Sequence, residues 1–391
     1  MTFEELKQLD GQYVVQSYGR NPIAIDHGQG ATLYGVDGKE YIDFASGIGV
    51  LSIGTAHPEW SEAVAAQAAK LAHVSNLYYS EPYIRLAEKL CTRSGMAAAF
   101  FCNSGAEGNE GIIKIARKYS FDKYGQDRGA VITLNRSFHG RTITTLAATG
   151  QDVFHRYFFP FTEGFRQVDP DLDSVKAAAG DDVCAVMVEL VQGEGGVLPL
   201  EPEFVQKLAK LCAERDWLLL ADEVQTGVGR TGSLFCFQQY GVQPDALSFA
   251  KGVAGGLPMG GFLVNEKCRN VFGPGDHAST FGGNPIAAAA ACAVLDVLDD
   301  ETIGQVKEKG TYLRNAVESM NLPCLGKTRG MGLMIGVEVR DGFVNKELCA
   351  KLNQAGLLSL TAGPGLRFLP PLTITHDEMD KGLAILKATL S

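Results

Sequence analysis

The sequence contains no C-x-x-C pair, although nine cysteines are spread along its 391 residues. They occur singly, and Cys102, Cys184 and Cys292 stand among apolar neighbours. That pattern reads as reduced core residues of a cytoplasmic protein rather than a disulfide frame. The seven histidines include no H-E-x-x-H and no close pair, so no metal site is expected. No strand-like run is followed by G-x-G-x-x-G, and Gly326-Lys327-Thr328 has Asn321 where a P-loop requires glycine. Excess positive charge is also missing. The formal net charge is −10, which argues against nucleic acid or an acidic membrane surface as partner. The first twenty residues are acidic and have no apolar core, so neither a signal peptide nor an Arg-rich transit peptide is expected. The most apolar later stretch, residues 285–298, is interrupted by Asp296 and is too short to span a bilayer. It reads as a buried Ala-rich helix.

What remains is an ordinary globular composition, 46% apolar and 20% charged. The length exceeds what one hydrophobic core usually serves, so a large domain and a smaller one are expected. Residues 31–44 show two β-rich runs around Asp37-Gly38, a hairpin signal. Helical spacing follows from Pro58 to about Leu71. Apolar runs at 97–102, 130–134, 185–190, 217–221 and 245–250 then alternate with helical segments. Strands apolar on both faces and separated by helices point to an α/β fold with a largely parallel sheet. Beyond residue 300 a helix (301–320), an amphipathic stretch and a final helix from about His376 suggest a small α+β domain. The expected division is 1–57, an N-terminal segment belonging to the small domain; 58–300, the large domain; and 301–391, the rest of the small domain.

In open α/β sheets, ligands collect beyond the carboxyl ends of the strands. Four strand ends here carry polar groups. Asn103-Ser104-Gly105-Ala106 leave a strand and open a helix, whose free N–H groups suit an anion; an ordinary N-cap is the simpler reading of that turn alone. Asp222 ends an apolar run, where a carboxylate is either in a structural ion pair or holds a bound group. Lys251 ends the next such run and is followed by glycines. Burial would lower its pKa and make the amine a usable nucleophile, whereas a lysine snorkelling from a strand end leaves the glycines unexplained. An anion-binding turn, a buried carboxylate and a desolvated lysine together meet the needs of pyridoxal phosphate.

The segments "NSGAEGNE", "SFHGRT", "VELVQGEGG", "ADEVQTGVGRTG", "FAKGVAGGLPMGG", "STFGGNP" and "LRFLPP" resemble, in order and spacing, those of the class III (ornithine/acetylornithine-type) aminotransferases. "SNLYYSEP" at 75–82 is most similar to the acetylornithine branch. The resemblance implies a fold-type I enzyme with a seven-stranded-type, mostly parallel sheet. It implies pyridoxal 5'-phosphate as a Schiff base on Lys251, and Asp222 at the ring nitrogen. Gln225 would touch the ring hydroxyl, and Phe138 and Val224 would face the ring. Ser104, Gly105, Ala106 and Thr280 would bind phosphate, with Thr280 coming from the second subunit of a homodimer. Arg141, with Ser279 close by, would grip the α-carboxylate of N2-acetylornithine. Arg367 would grip that of glutamate or 2-oxoglutarate, and Glu194 would pair with Arg367 when the longer donor is bound. Ornithine, succinylornithine, succinyldiaminopimelate and 4-aminobutyrate are competing donors, and an aminomutase or racemase is the competing reaction class. Two departures from the family pattern stand out. Gly108 and Gly111 replace expected alanines, at about 1 kcal/mol each to the helix. Leu51 and Thr55 replace expected Asn and His beside the substrate pocket.

Overall fold

The structure, a computed structural model, describes residues 1–391. Its main sheet has seven strands, in the spatial order Ala98–Cys102, Gly260–Val264, Ala246–Phe249, Leu218–Asp222, Val183–Val188, Ala130–Leu134 and Phe165–Val168. Six run parallel; Gly260–Val264 runs against both of its neighbours. Every residue of the five strands between the two edges is buried. That is why their sequences are continuous apolar runs rather than alternating ones. The five strand-like runs of the sequence are all strands. Two others escaped notice for physical reasons. Phe165–Val168 is an edge strand, half-buried throughout and carrying Arg166. Gly260–Val264 begins with two glycines and so looks like the end of a loop.

Three smaller sheets accompany the large one, the least of them the pair Val191–Gln192 and Leu198–Pro199. Ile25–Gln29, Thr32–Gly35 and Glu40–Asp43 form an antiparallel meander, with the expected hairpin turn at Asp37-Gly38. Leu357–Leu358 adds to its edge in parallel, so chain from before residue 57 and chain from beyond residue 300 share one sheet. The second small sheet orders Leu325–Met331, Met334–Val339, Gly365–Phe368 and Leu360–Ala362. The Ala-rich helix is Pro285–Val297. Asn284 caps it by accepting from the N–H groups of Ile286 and Ala287, and it packs against helices Pro58–Lys70 and Glu81–Ser94. No helix is long and apolar enough to cross a membrane. All nine cysteines are free; Cys102 and Cys184 are buried, but Cys292 is only half-buried.

The helix opening at Gly105 runs to Tyr124 and stops at Gly125 with φ +86°. It lies close against Gly260–Val264, and this contact explains Gly108 and Gly111. A Cβ at Gly108 would sit 2.6 Å from the Gly261 carbonyl oxygen, and one at Gly111 would enter the Phe262 ring. Helix propensity is given up so that backbone can approach sheet. Gly108→Ala and Gly111→Ala, although each adds a better helix former, are expected to lower unfolding free energy by about 1–3 kcal/mol. Denaturant unfolding checks this; unchanged or raised stability would contradict the close packing.

Glu223, just after the central strand, is almost fully buried. It accepts hydrogen bonds from Cys236 N (3.0 Å), Phe237 N (2.8 Å) and the Thr226 hydroxyl, and so closes the loop between them. Burial raises its carboxyl to about 7. A folded-state value above the unfolded one means that wild-type stability declines as pH rises from about 4.5 to 7. Glu223→Gln loses an acceptor but cannot titrate. Its destabilisation should therefore be greatest near pH 5 and shrink by roughly 3 kcal/mol by pH 8, measured by unfolding at both pH values. A gap that widens with pH would show the carboxyl to be stabilised as the anion.

Candidate active site

Lys251 follows strand Ala246–Phe249 and opens a single helical turn, Lys251–Ala254, with φ +41°. A non-glycine residue in this region is strained, and such residues gather at functional sites. Asp222 ends the adjacent parallel strand, in register with Ser248. The helix Gly105–Tyr124 starts where Ala98–Cys102 ends. These strand ends meet around a cavity of about 400 Å³. Of the sequence-derived residues, Ser104, Gly105, Ala106, Phe138, Arg141, Asp222, Val224, Gln225 and Lys251 line it. Arg367, Glu194, Ser279 and Thr280 do not.

Asp222 is 4% exposed, and three segments hold its carboxylate. Asn109 Nδ2 donates to Oδ2 at 2.7 Å and Val224 N to Oδ1 at 3.0 Å. His139 Nδ1 lies 2.8 Å from Oδ2, with the imidazole as donor to an acceptor-only group. Asn109 also donates to the His139 carbonyl and accepts from the Ser248 hydroxyl, which locks its amide orientation. Asn109, His139 and Ser248 were not singled out from the sequence. The available signal was that Asn109 falls one helical turn after Gly105, on the same face.

Lys251 Nζ has no hydrogen-bond partner. Burial depresses its pKa, and the nearby carboxylates of Glu194 and Asp222 oppose that shift. At the helix start, the N–H groups of Gly105 and Ala106 have no acceptor within the chain. A Cβ at Gly105 would lie 2.6 Å from Val224 Cγ1, so only glycine fits between the helix and that wall. The Ser104 hydroxyl donates to Glu107 Oε2 (2.9 Å) and accepts from Glu107 N (3.2 Å), acting here as the N-cap. A second buried carboxylate, Glu189, also lines the cavity and was missed. It accepts from Phe138 N (2.7 Å) and Gly193 N (3.2 Å), joining the turn of Phe138 to the turn of Glu194. Burial, with Asp222 adding repulsion, holds its carboxyl up at about 7.

The two arginines differ in state. Arg367, on strand Gly365–Phe368, is 3% exposed; its Nη1 donates to Glu194 Oε1 (2.7 Å) and Gln225 Oε1 (3.0 Å). It lies behind Gln225, latched. Arg141 is exposed and makes neither hydrogen bond nor ion pair; its guanidinium lies over aromatic rings. Ser279 Oγ accepts from Asn103 Nδ2 (3.3 Å) and Gly282 N (3.0 Å) at the back of the helix start. Thr280 is exposed and outside its own chain's cavity. Of the segment with the unusual Leu51 and Thr55, Val50 lines the cavity and Leu51 reaches toward Gly256, which also lines it. Thr55 instead forms a backbone bridge with Gly30.

Residues 13–390 match the family described as Aminotransferase class-III. An acetylornithine aminotransferase of Haemophilus ducreyi is 49% identical, with all of both chains covered. Among solved structures, an ornithine aminotransferase of Toxoplasma gondii superposes with a TM-score of 0.95 at 33% identity, covering 100% of this chain and 95% of that one. An acetylornithine aminotransferase of Elizabethkingia anophelis gives 0.88 at 31%, covering 100% and 99%. The fold is that of the fold-type I transaminases. With the match running almost end to end, this chain belongs to the class III aminotransferase family.

Proposed function

We propose that the enzyme uses pyridoxal phosphate to move the δ-amino group of N2-acetylornithine to 2-oxoglutarate, giving N-acetylglutamate 5-semialdehyde and glutamate by a ping-pong route. The observation that carries this reading is the pair of arginines, one free and one latched by a carboxylate. A donor that brings one carboxylate and an uncharged acyl group needs one open clamp, and Arg141 provides it. Glutamate and 2-oxoglutarate need a carboxylate gripped near the reacting carbon. Arg367 serves once Glu194 lets go, so one cavity accepts both partners of the exchange. The many relatives named as acetylornithine aminotransferases support the same donor.

The residues fit the cofactor. When bound, pyridoxal phosphate supplies a protonated ring that withdraws electrons from the substrate carbon and an aldehyde carbon that takes up the amino group. The free N–H groups of Gly105 and Ala106 at the positive end of a twenty-residue helix suit the phosphate. Asp222, fixed in place by its donors, would sit against the ring nitrogen and accept its N–H. Phe138 and Val224 supply apolar faces for the ring. Gln225 has Oε1 committed to Arg367 and so presents its amide N–H to the ring oxygen. Lys251 carries the cofactor and then moves a proton from the amino-bearing carbon of the donor, a task helped by a lowered pKa.

A homodimer is part of the proposal. Thr280 is exposed away from its own cavity, and Tyr78, Tyr79 and Phe281 are more than half exposed, leaving an aromatic face for a second copy to cover. Thr280 would then add a phosphate contact across the interface. The division into a large domain (58–300) and a small one formed by 1–57 with 301–391 rests on the sheet they share. A cytoplasmic setting suits nine unpaired cysteines, and arginine biosynthesis suits the donor.

Ornithine is the alternative donor, in keeping with the Toxoplasma gondii enzyme's likeness. Comparing kcat/KM for N-acetylornithine and ornithine decides between them, and a preference for ornithine would move the donor assignment. Separately, Arg367→Ala should raise KM for 2-oxoglutarate by about 100-fold, the scale for losing a buried charge contact, while changing the N-acetylornithine half-reaction less than about 3-fold. Equal damage to both half-reactions would contradict separate clamps.

A further inference from the structure

Nothing in the catalytic scheme accounts for how Arg141 is held. Carboxylates make the usual counter-ions for a guanidinium, but they would occupy the N–H fork that a substrate carboxylate needs. Arg141 has no such partner. Its guanidinium carbon lies 4.4 Å from the centroid of Phe154 and 5.5 Å from that of Phe138. The two rings meet edge to face at 5.4 Å and 70°. Neither ring offers a hydrogen-bond acceptor of the carboxylate kind, so a cation held over them keeps its N–H donors available for a substrate carboxylate.

The position of Phe154 is built into the fold. It ends the short turn Asp152–Phe154, whose N-terminal neighbour Gln151 donates Nε2 to the Ser137 carbonyl at 3.0 Å. Gly150 N donates to Ser137 Oγ at 3.0 Å, and Arg136 N donates to the Gly150 carbonyl at 2.7 Å. His155 Nε2 lies 2.9 Å from the Leu146 carbonyl on the other side. The turn bearing Phe154 is thus tied to the strand exit that bears Phe138 and Arg141.

We propose that Phe154 is a positioning residue for recognition of the donor's carboxylate. Its ring face fixes the Arg141 guanidinium while leaving the bidentate fork open, and its edge contact with Phe138 keeps that clamp in step with the cofactor-facing ring. The inference deepens the proposed function and rests on Arg141 as the carboxylate clamp. The ligand class it serves is any donor with one carboxylate remote from the amine it gives up.

The test is a double-mutant cycle on holoenzyme with Phe154→Leu, which keeps apolar bulk and removes the π face, and Arg141→Ala. Two quantities are read: kcat/KM for N-acetylornithine, and the calorimetric Kd of N-acetylnorvaline, the same molecule without its δ-amine. Phe154→Leu should weaken both by about 3- to 20-fold in the wild-type background and by less than about 2-fold when Arg141 is already alanine. Phe154→Tyr, which keeps the ring, should stay within about 2-fold of wild type. Equal losses in both backgrounds would make Phe154 a packing residue and overturn the proposal, as would no loss in either. If Arg141→Ala itself left N-acetylornithine unaffected, the assignment of Arg141 would fail first and take this inference with it.

Discussion

The buried carboxylate of Asp222 is the constraint around which the site is arranged. An anion at the end of a fully buried strand is tolerated only if donors converge on it, and they come from three separated stretches: Asn109 on a helix, His139 in a loop and Val224 in the following turn. Satisfying one oxygen pair therefore fixes three segments relative to one another. The same charge acts at a distance: it opposes the loss of the proton from Lys251 and from Glu189, two groups that burial pushes in opposite directions along the pH scale. The helix start, the lysine and the turn bearing Val224 and Gln225 are placed by a network that satisfies one buried carboxylate out of water.

Around that fixed centre the two arginines are held differently. Arg367 is deeply buried and already paired; in the proposed exchange a second carboxylate would replace Glu194 rather than strip water from a bare cation. Arg141 is open, exposed and held by aromatic faces. Under the proposed function, that difference would let one cavity treat a monocarboxylate donor and a dicarboxylate acceptor differently without a change of fold. Glu189, whose carboxyl bonds both the Phe138 and the Gly193 backbone, is the link between the two sides.

How far the sequence revealed this depended on the kind of signal. Five of the seven sheet strands were legible as uninterrupted apolar runs, and Lys251 and Asp222 stood out as charged residues ending two of them. Gly260–Val264 was hidden because glycine is a loop signal in sequence, yet here Gly260 leaves room for Ser104, where the helix Gly105–Tyr124 begins, and Gly108 and Gly111 let that helix lie against the strand. Asn109, His139 and Ser248 were hidden because their role is a long-range hydrogen bond with no local periodicity. Arg141, Arg367 and Glu194 were found through family resemblance alone. As bare residues they would have passed for surface ion pairs, and only the geometry separates the free arginine from the latched one.

The most direct measurement is the absorption spectrum of the purified holoenzyme before and after N-acetylornithine is added with no keto acid present. The account requires that the band of lysine-bound pyridoxal phosphate be present, that it convert to that of pyridoxamine phosphate, and that 2-oxoglutarate restore it. A protein that fails to acquire the band when pyridoxal phosphate is supplied, or a loaded one that N-acetylornithine leaves unchanged, would contradict it.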